Sequence, residues 1–221
     1  MSKTPQLRKP VEPPEDYGDP IREFSELERM FMGSTKTMAH LVEFTLNILR
    51  DQEILIAGAF ALYKHAEPRA TRDFDLVVSP TSMDAVESVI QKNGFKLIER
   101  YEYQNPKRFL HNYQWNERKL DLIYFENKKF SDFLFATSEP MKVFGSSLAK
   151  VVSAEGLVLM KLISARGGKK PGTENIGRDF TDIQAVVEKT PIDWSLVKSW
   201  AADLEIMYKF GDLIQYLGIE T

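Results

Sequence analysis

The chain contains no cysteine, which excludes disulfides and thiolate metal sites and is compatible with a reducing compartment. Its three histidines, His40, His65 and His111, are scattered, so there is no histidine cluster of the kind a metal-dependent phosphohydrolase uses. No apolar run approaches the roughly 18–20 residues of a membrane span. The opening stretch MSKTPQLRKPVEPPEDYGDP lacks the apolar centre of a signal peptide, so a cytoplasmic protein with no membrane partner is expected. Charge of one sign is also missing. The formal net charge is −3, which leaves no global basic field for nucleic acid, although a local basic patch stays open. Two familiar phosphate loops are absent as well: around Gly58 there is no G-x-G-x-x-G spacing, and no G-K-[ST] follows.

What remains is a chain of 221 residues, 43% hydrophobic and 28% charged, ample for one large domain or a core with a small helical domain. Its most informative stretch runs from Ile54 to Val78. Ile54 to Ala57 reads as a short apolar strand, Gly58-Ala59 as a turn, and Phe60 to His65 as a short helix. A loop with Arg69, Thr71 and Arg72 leads into a second strand, Asp73 to Val78. Strand side chains alternate faces, so Phe74, Leu76 and Val78 share one face while Asp73 and Asp75 share the other. The two aspartate Cα atoms should lie roughly 6.6–6.8 Å apart. Carboxylates at that spacing can converge on one hard cation or a close pair, and magnesium suits them.

Elsewhere the pattern is mixed. Residues 1–20 read as a Pro-rich, irregular arm. Ile21, Phe24, Leu27 and Phe31 recur at helical spacing, Gly33-Ser34 breaks it, and Met38, Leu41, Val42, Thr45 and Leu49 mark a second amphipathic helix. A helix through Met83, Val86, Val89 and Ile90 follows, then strands over Phe95–Tyr103, Arg108–Trp115 and Lys119–Phe125. Met141 to Phe144 is a further candidate strand. The C-terminal third reads as helices, with a glycine-rich basic loop from Arg166 to Gly172. The expected fold is α/β (α+β), with a mixed sheet of about five strands and helices mainly on one face. The expected divisions are an arm over 1–20, a core over 21–152 and a helical subdomain over 153–221.

Gly-Ala-x-Ala-x-x-x-His, from Gly58 to His65, precedes Arg-Ala-Thr-x-Asp-x-Asp-Leu, from Arg69 to Leu76. Together they resemble the nucleotidyltransferase superfamily of DNA polymerase β type. The likeness is nearest to its minimal bacterial members and the AbiEii-type toxins, in which a GG or GS turn precedes R-x-T/S-x-D-x-D. It covers roughly residues 54–189. The resemblance implies a nucleotidyltransferase fold and a third carboxylate on a neighbouring strand, which falls on Asp121, alone in the apolar run Leu120 to Phe125. It implies that Asp73, Asp75 and Asp121 hold Mg2+ (or Mn2+), that Asp121 lies nearest the incoming hydroxyl as its base, and that NTP is the donor. It places Gly58, Ala59, Arg69, Thr71 and Arg72 around the nucleotide. Ala59 departs from the common Ser, so phosphate contact there must rest on backbone N–H groups. Lys161, Arg178-Asp179 and Asp182 resemble a Lys followed by R-D-x-x-D, which implies a Lys near the phosphates and an Asp that positions it or the acceptor.

The implied activity is Mg-dependent transfer of a nucleoside monophosphate to an acceptor hydroxyl on tRNA, protein or a small molecule, with a toxin role and an antitoxin partner as one setting. The alternative is a catalytically silent binding module, which Ala59 supports and Asp73, Asp75 and Asp121 oppose. Blander readings stand beside each residue. D-x-D is often a polar strand face, and Asp121 can be a strand-end carboxylate paired with an Arg. Lys161 can snorkel to solvent, and Asp182 can pair with a base on a neighbouring helix. His65 reads as a cap or packing residue, and Arg166 to Lys170 as a surface loop or a phosphate contact. Tyr101/Tyr103 and Tyr113/Trp115 read as strand packing rather than base stacking.

Overall fold

Period-two alternation over residues 73–78 places Phe74, Leu76 and Val78 in the core with no exposed surface, and the sheet is built around that strand. The computed structural model describes residues 38–67, 69, 71–143, 147–165 and 175–219. The expected arm, the helix through Ile21 to Phe31 and the basic loop from Arg166 to Gly172 lie outside those residues. Strands β1 (Ile54–Ile56), β2 (Asp73–Val78), β3 (Lys96–Gln104), β4 (Lys107–Trp115), β5 (Arg118–Phe125), β6 (Glu139–Val143) and β7 (Ser147–Val151) form one sheet in the order β3-β4-β5-β2-β1-β7-β6. It is mixed: β2 runs parallel to β5 and β1 parallel to β7, while the other pairs are antiparallel.

The sheet has seven strands where about five were expected. The hairpin of β6 and β7 accounts for the difference. Its strands are five residues each, and β6 carries Pro140, which cannot donate to a ladder and is tolerated because β6 is an edge strand. The candidate strand from Met141 falls within β6, with Phe144 outside the described residues.

Helix α1 (Met38–Ile48) stacks Phe44 on Trp115 of β4, with ring centroids 5.1 Å apart. Helix α2 (Gly58–His65) turns Phe60 edge-on to Phe74, and α3 (Met83–Lys92) reaches Tyr113 through Glu87. Helix α4 (Lys128–Ala136), which the sequence pattern had not marked, starts where the Asn127 side chain accepts from the Phe130 N–H at 3.1 Å. Its Phe130 packs edge-on against Phe125 at the end of β5.

The chain then becomes helical: α5 (Ala154–Ser164), α6 (Asn175–Lys189), α7 (Trp194–Asp203) and α8 (Met207–Leu217). Two contacts fix this part. Lys209 of α8 is 4% exposed and its Nζ donates to the carbonyls of Leu162 (2.9 Å) and Ile163 (3.0 Å), at the negative end of α5. His65, at the end of α2, is buried and donates from Nε2 to the Val152 carbonyl at 2.7 Å. Burial pulls the His65 imidazole below its usual range, so this packing role is that of the neutral ring.

Candidate active site

Strand pairing brings the sequence-separated carboxylates together. In the parallel ladder of β2 and β5, Asp75 and Asp121 are Cα partners, one strand spacing apart at about 4.8 Å. Asp73 sits two residues along β2 and shares their face. In the ladder of β4 and β5, Asp121 is the partner of Asn112, whose Nδ2 donates to Asp121 Oδ1 at 2.6 Å. Asp121 is therefore a mid-strand residue held by an amide, not a strand-end carboxylate held by an arginine.

The Gly58 turn lies directly against this group. Gly58 has φ of +57°, a conformation that favours glycine, and a Cβ there would fall 1.9 Å from Asp75 Oδ2. The Ala57 N–H donates to the Asp75 carbonyl at 3.0 Å, which holds the turn to β2. Ala57 is the N-cap of α2 and makes no side-chain cap hydrogen bond to the first N–H groups of that helix. Ala59 is buried.

The carboxylates are short of positive charge. Asp75 is half-buried as a residue, but its carboxyl rests against Gly58. Burial, then the charge of Asp121 and the smaller push of Asp73, raise it to about 7 against the opposing pull of Lys161 and Arg69. Burial also raises Asp121 to about 6, opposed by the hydrogen bond from Asn112 and by Lys119 and reinforced by Asp73.

A second network meets this one from the helical side. Arg69 forks onto Asp182, with Nε to Oδ1 at 2.8 Å and Nη2 to Oδ2 at 2.9 Å. Lys161 Nζ lies 2.6 Å from Asp182 Oδ2 and 3.2 Å from Asp179 Oδ1. Ser164 Oγ donates to Asp179 Oδ2 at 2.9 Å. Asp179 and Asp182 are three apart on α6 and so face α5 together. Burial alone would raise the Asp182 carboxyl, but the Arg69 hydrogen bond and the Lys161 charge outweigh it and hold it below the usual range. The side chain of Lys161 is 11% exposed, so it turns inward to these carboxylates instead of snorkelling outward.

Thr71 folds onto its own loop: its Oγ1 accepts from the Asp73 N–H at 3.3 Å and donates to the Asp73 carbonyl at 3.1 Å. Arg72 is exposed and makes none of these contacts, and Arg178 is exposed as well. Sequence reasoning missed Asn112 and Ser164. Asn112 was visible only as one polar residue among several alternating in β4, and Ser164 only as a small residue at the end of α5. Tyr113 and Trp115 do pack inward, Tyr113 with no exposure, and Tyr103 is half-buried, but Tyr101 is 40% exposed, so the packing reading fails for Tyr101.

Among the described residues, no three His, Cys, Asp or Glu side chains are gathered closely enough to cage a metal as they stand. The donor chemistry nevertheless fits a hard divalent cation. Asp73, Asp75 and Asp121 offer only carboxylate oxygens from one face of two paired strands, and burial, with the neighbouring aspartate charges, raises the Asp75 and Asp121 carboxyls.

A family model described as "Uncharacterised nucleotidyltransferase" matches residues 56–214. No curated protein matches the chain. The fold is similar to that of the crystal structure of ANT(2″)-Ia in complex with adenylyl-2″-tobramycin, with a TM-score of 0.56 and 13% identity over 77% of this chain and 98% of that one. It is also similar to the solution structure of the antibiotic-resistance factor ANT(2″)-Ia, with a TM-score of 0.54 and 12% identity over 80% and 96% of the two chains.

Proposed function

The chain belongs to the nucleotidyltransferase family, and on that premise we propose that it moves a nucleoside monophosphate from an NTP to an acceptor hydroxyl with the help of Mg2+ or Mn2+. The observation that carries this reading is the β2–β5 register, which pairs Asp75 with Asp121 and puts Asp73 on the same face. In this reading Asp73, Asp75 and Asp121 hold the divalent cation, which when bound neutralises triphosphate charge and makes the acceptor hydroxyl more acidic. Asp121 takes the hydroxyl proton, the hydroxyl oxygen bonds to the α-phosphorus, and pyrophosphate leaves with the bonding pair. Gly58 lets the backbone approach the phosphates, and the uncapped N–H groups of α2 face them. Ala59 adds no hydroxyl.

Arg69 and Lys161 stand on the phosphate side, and Asp182 positions both. The C-terminal helices act as the subdomain that delivers Lys161, while Thr71 shapes the loop into β2. Arg72, exposed at that loop, reaches the nucleotide from solvent. The acceptor belongs to RNA, protein or a small molecule. The fold likeness to a protein solved with adenylyl-2″-tobramycin makes an amino sugar a sensible member of the test panel. A toxin role with an antitoxin partner rests on sequence resemblance alone, and no feature of the described residues adds to it.

The competing reading is a silent module that binds nucleotide or protein without transfer. One experiment separates them: incubation with each of four α-labelled NTPs and Mg2+, with and without total RNA or tobramycin, read on gels and thin-layer plates. Label on RNA, on tobramycin or on the protein is the expected result and identifies the acceptor class. Binding of an NTP with no label anywhere supports the silent module.

A further inference from the structure

The row of Cα partners that contains the catalytic pair does not stop at Asp121. It runs on through Asn112 of β4 to Glu99 of β3, so Asp75, Asp121, Asn112 and Glu99 cross four strands on one face. Two strand spacings separate Glu99 from Asp121, about 10 Å, which is the length of one sugar-sized ring with its substituents. Two positions further along, and so on the same face, Tyr101 of β3 faces Leu110 of β4, which faces Ile123 of β5. β3 is the edge of the sheet, and eight of its nine residues are exposed.

The side chains on this face are unusual for an open sheet surface. Tyr101 and Tyr103 stand side by side, with ring centroids 6.3 Å apart. Tyr103 already has the Arg108 guanidinium over its ring, 4.1 Å from the centroid, while the Tyr101 hydroxyl donates to the Glu99 carboxylate. Tyr101 is thus fixed by Glu99, with its ring set beside an exposed carboxylate. A ring face next to a carboxylate is a recognition element for ammonium groups. The Arg108 guanidinium on the same face is already placed over Tyr103. A nucleic-acid acceptor would also find rings to stack on. Its phosphates, however, would run into Glu99 and the carboxylate trio, on a chain of net charge −3.

We propose that this face of β3 and β4 seats the acceptor, and that the acceptor is a hydroxyl-bearing small molecule carrying at least one ammonium group. The proposal rests on the nucleotidyltransferase reading for the direction in which the hydroxyl points. Asp121 and Asn112 mark the hydroxyl end, and Glu99 with Tyr101 marks the ammonium end.

The test is calorimetric titration without nucleotide, in about 150 mM salt, where the Debye length is about 8 Å, with three probes: tobramycin, the uncharged trisaccharide maltotriose and a short single-stranded RNA. Wild-type protein, Glu99→Gln and Tyr101→Ala are compared, with circular dichroism as the fold control and Mg–ATP affinity as a separate readout. Tobramycin should bind wild type, and each substitution should weaken it about tenfold, the size of an ammonium–ring or ammonium–carboxylate contact. Mg–ATP affinity should stay as it is. Tobramycin affinity that is absent in wild type or unchanged in both variants would overturn the proposal, as would maltotriose or RNA binding as tightly as tobramycin. Failure of the transferase reading shows elsewhere, as loss of Mg–ATP binding in wild type or as binding with no transfer of label from α-labelled ATP to any acceptor, so the two failures are distinguishable.

Discussion

Two sets of aspartates lie within electrostatic reach of each other and behave in opposite ways. On the sheet, burial and mutual repulsion raise Asp75 to about 7 and Asp121 to about 6. On α6, burial acts on Asp182 in the same direction, yet Arg69 and Lys161 hold its carboxyl below the usual range. The difference is whether charge has been matched. Asp182 has a bidentate guanidinium and an ammonium within 2.9 Å. The sheet carboxylates have one amide, from Asn112, and a glycine turn. The matched set holds its neighbours in place, and the unmatched set is the one whose donor chemistry fits the proposed cation.

The largest test of this contrast removes a member of the unmatched set. Asp75→Ala should abolish Mg2+-dependent NTP binding and transfer while circular dichroism and melting stay near wild type, because deleting a repelled carboxylate relieves strain. Measured binding equal to wild type would break the contrast. Asp182→Ala should do the reverse and damage the fold. It strands two cations, one of them nearly buried, which costs roughly 2–4 kcal/mol, discounted from the range for a fully buried pair because the side chain of Arg69 is 28% exposed. That is a drop of roughly 4–16 °C in Tm for a chain of this size, and a Tm within a degree of wild type would show that the pairing is idle.

The two sets also predict opposite pH responses. Folded Asp75 and Asp121 bind protons more tightly than in the unfolded chain, so in metal-free protein their contribution is fully present below about 4 and is lost as pH rises through about 6 and 7. Asp182 has the opposite sign: its contribution is present above the unfolded carboxylate range and is lost as pH falls through its depressed value. Mg2+ should therefore raise Tm more at pH 8 than at pH 5, which thermal melts with and without the ion would check. An equal effect at both values would remove the link between the raised carboxyls and the cation. The smallest effect belongs to Asn112→Ala. Without the amide Asp121 rises further, so the transfer rate should fall more at pH 6.5 than at pH 8.5, and a uniform loss across that range would assign Asn112 to packing alone.

Much of the sheet could be read in advance because strands write their burial at period two. Phe74, Leu76 and Val78 against Asp73 and Asp75 gave away both the strand and its functional face. Asp121 was legible as the odd carboxylate in an apolar run. The register that joins Asp121 to Asp75 was not legible, since pairing of strands separated by forty-odd residues leaves no local trace. Arg69 and Asp182, 113 residues apart, were each suspected but not as partners. Of the β6–β7 hairpin only part of β6, from Met141, was legible, because its strands are short and one carries Pro140. Tyr101 was misread because an aromatic on an edge strand looks the same in sequence whether its face is covered or bare.

The central claim is that the sheet carboxylates are completed by a divalent cation that arrives with the nucleotide. Calorimetric titration of ATP, GTP, CTP and UTP into the protein, with Mg2+ and then with excess chelator, tests it directly. The account predicts binding of at least one NTP that disappears when the ion is removed. Equal affinity with and without the ion would contradict it.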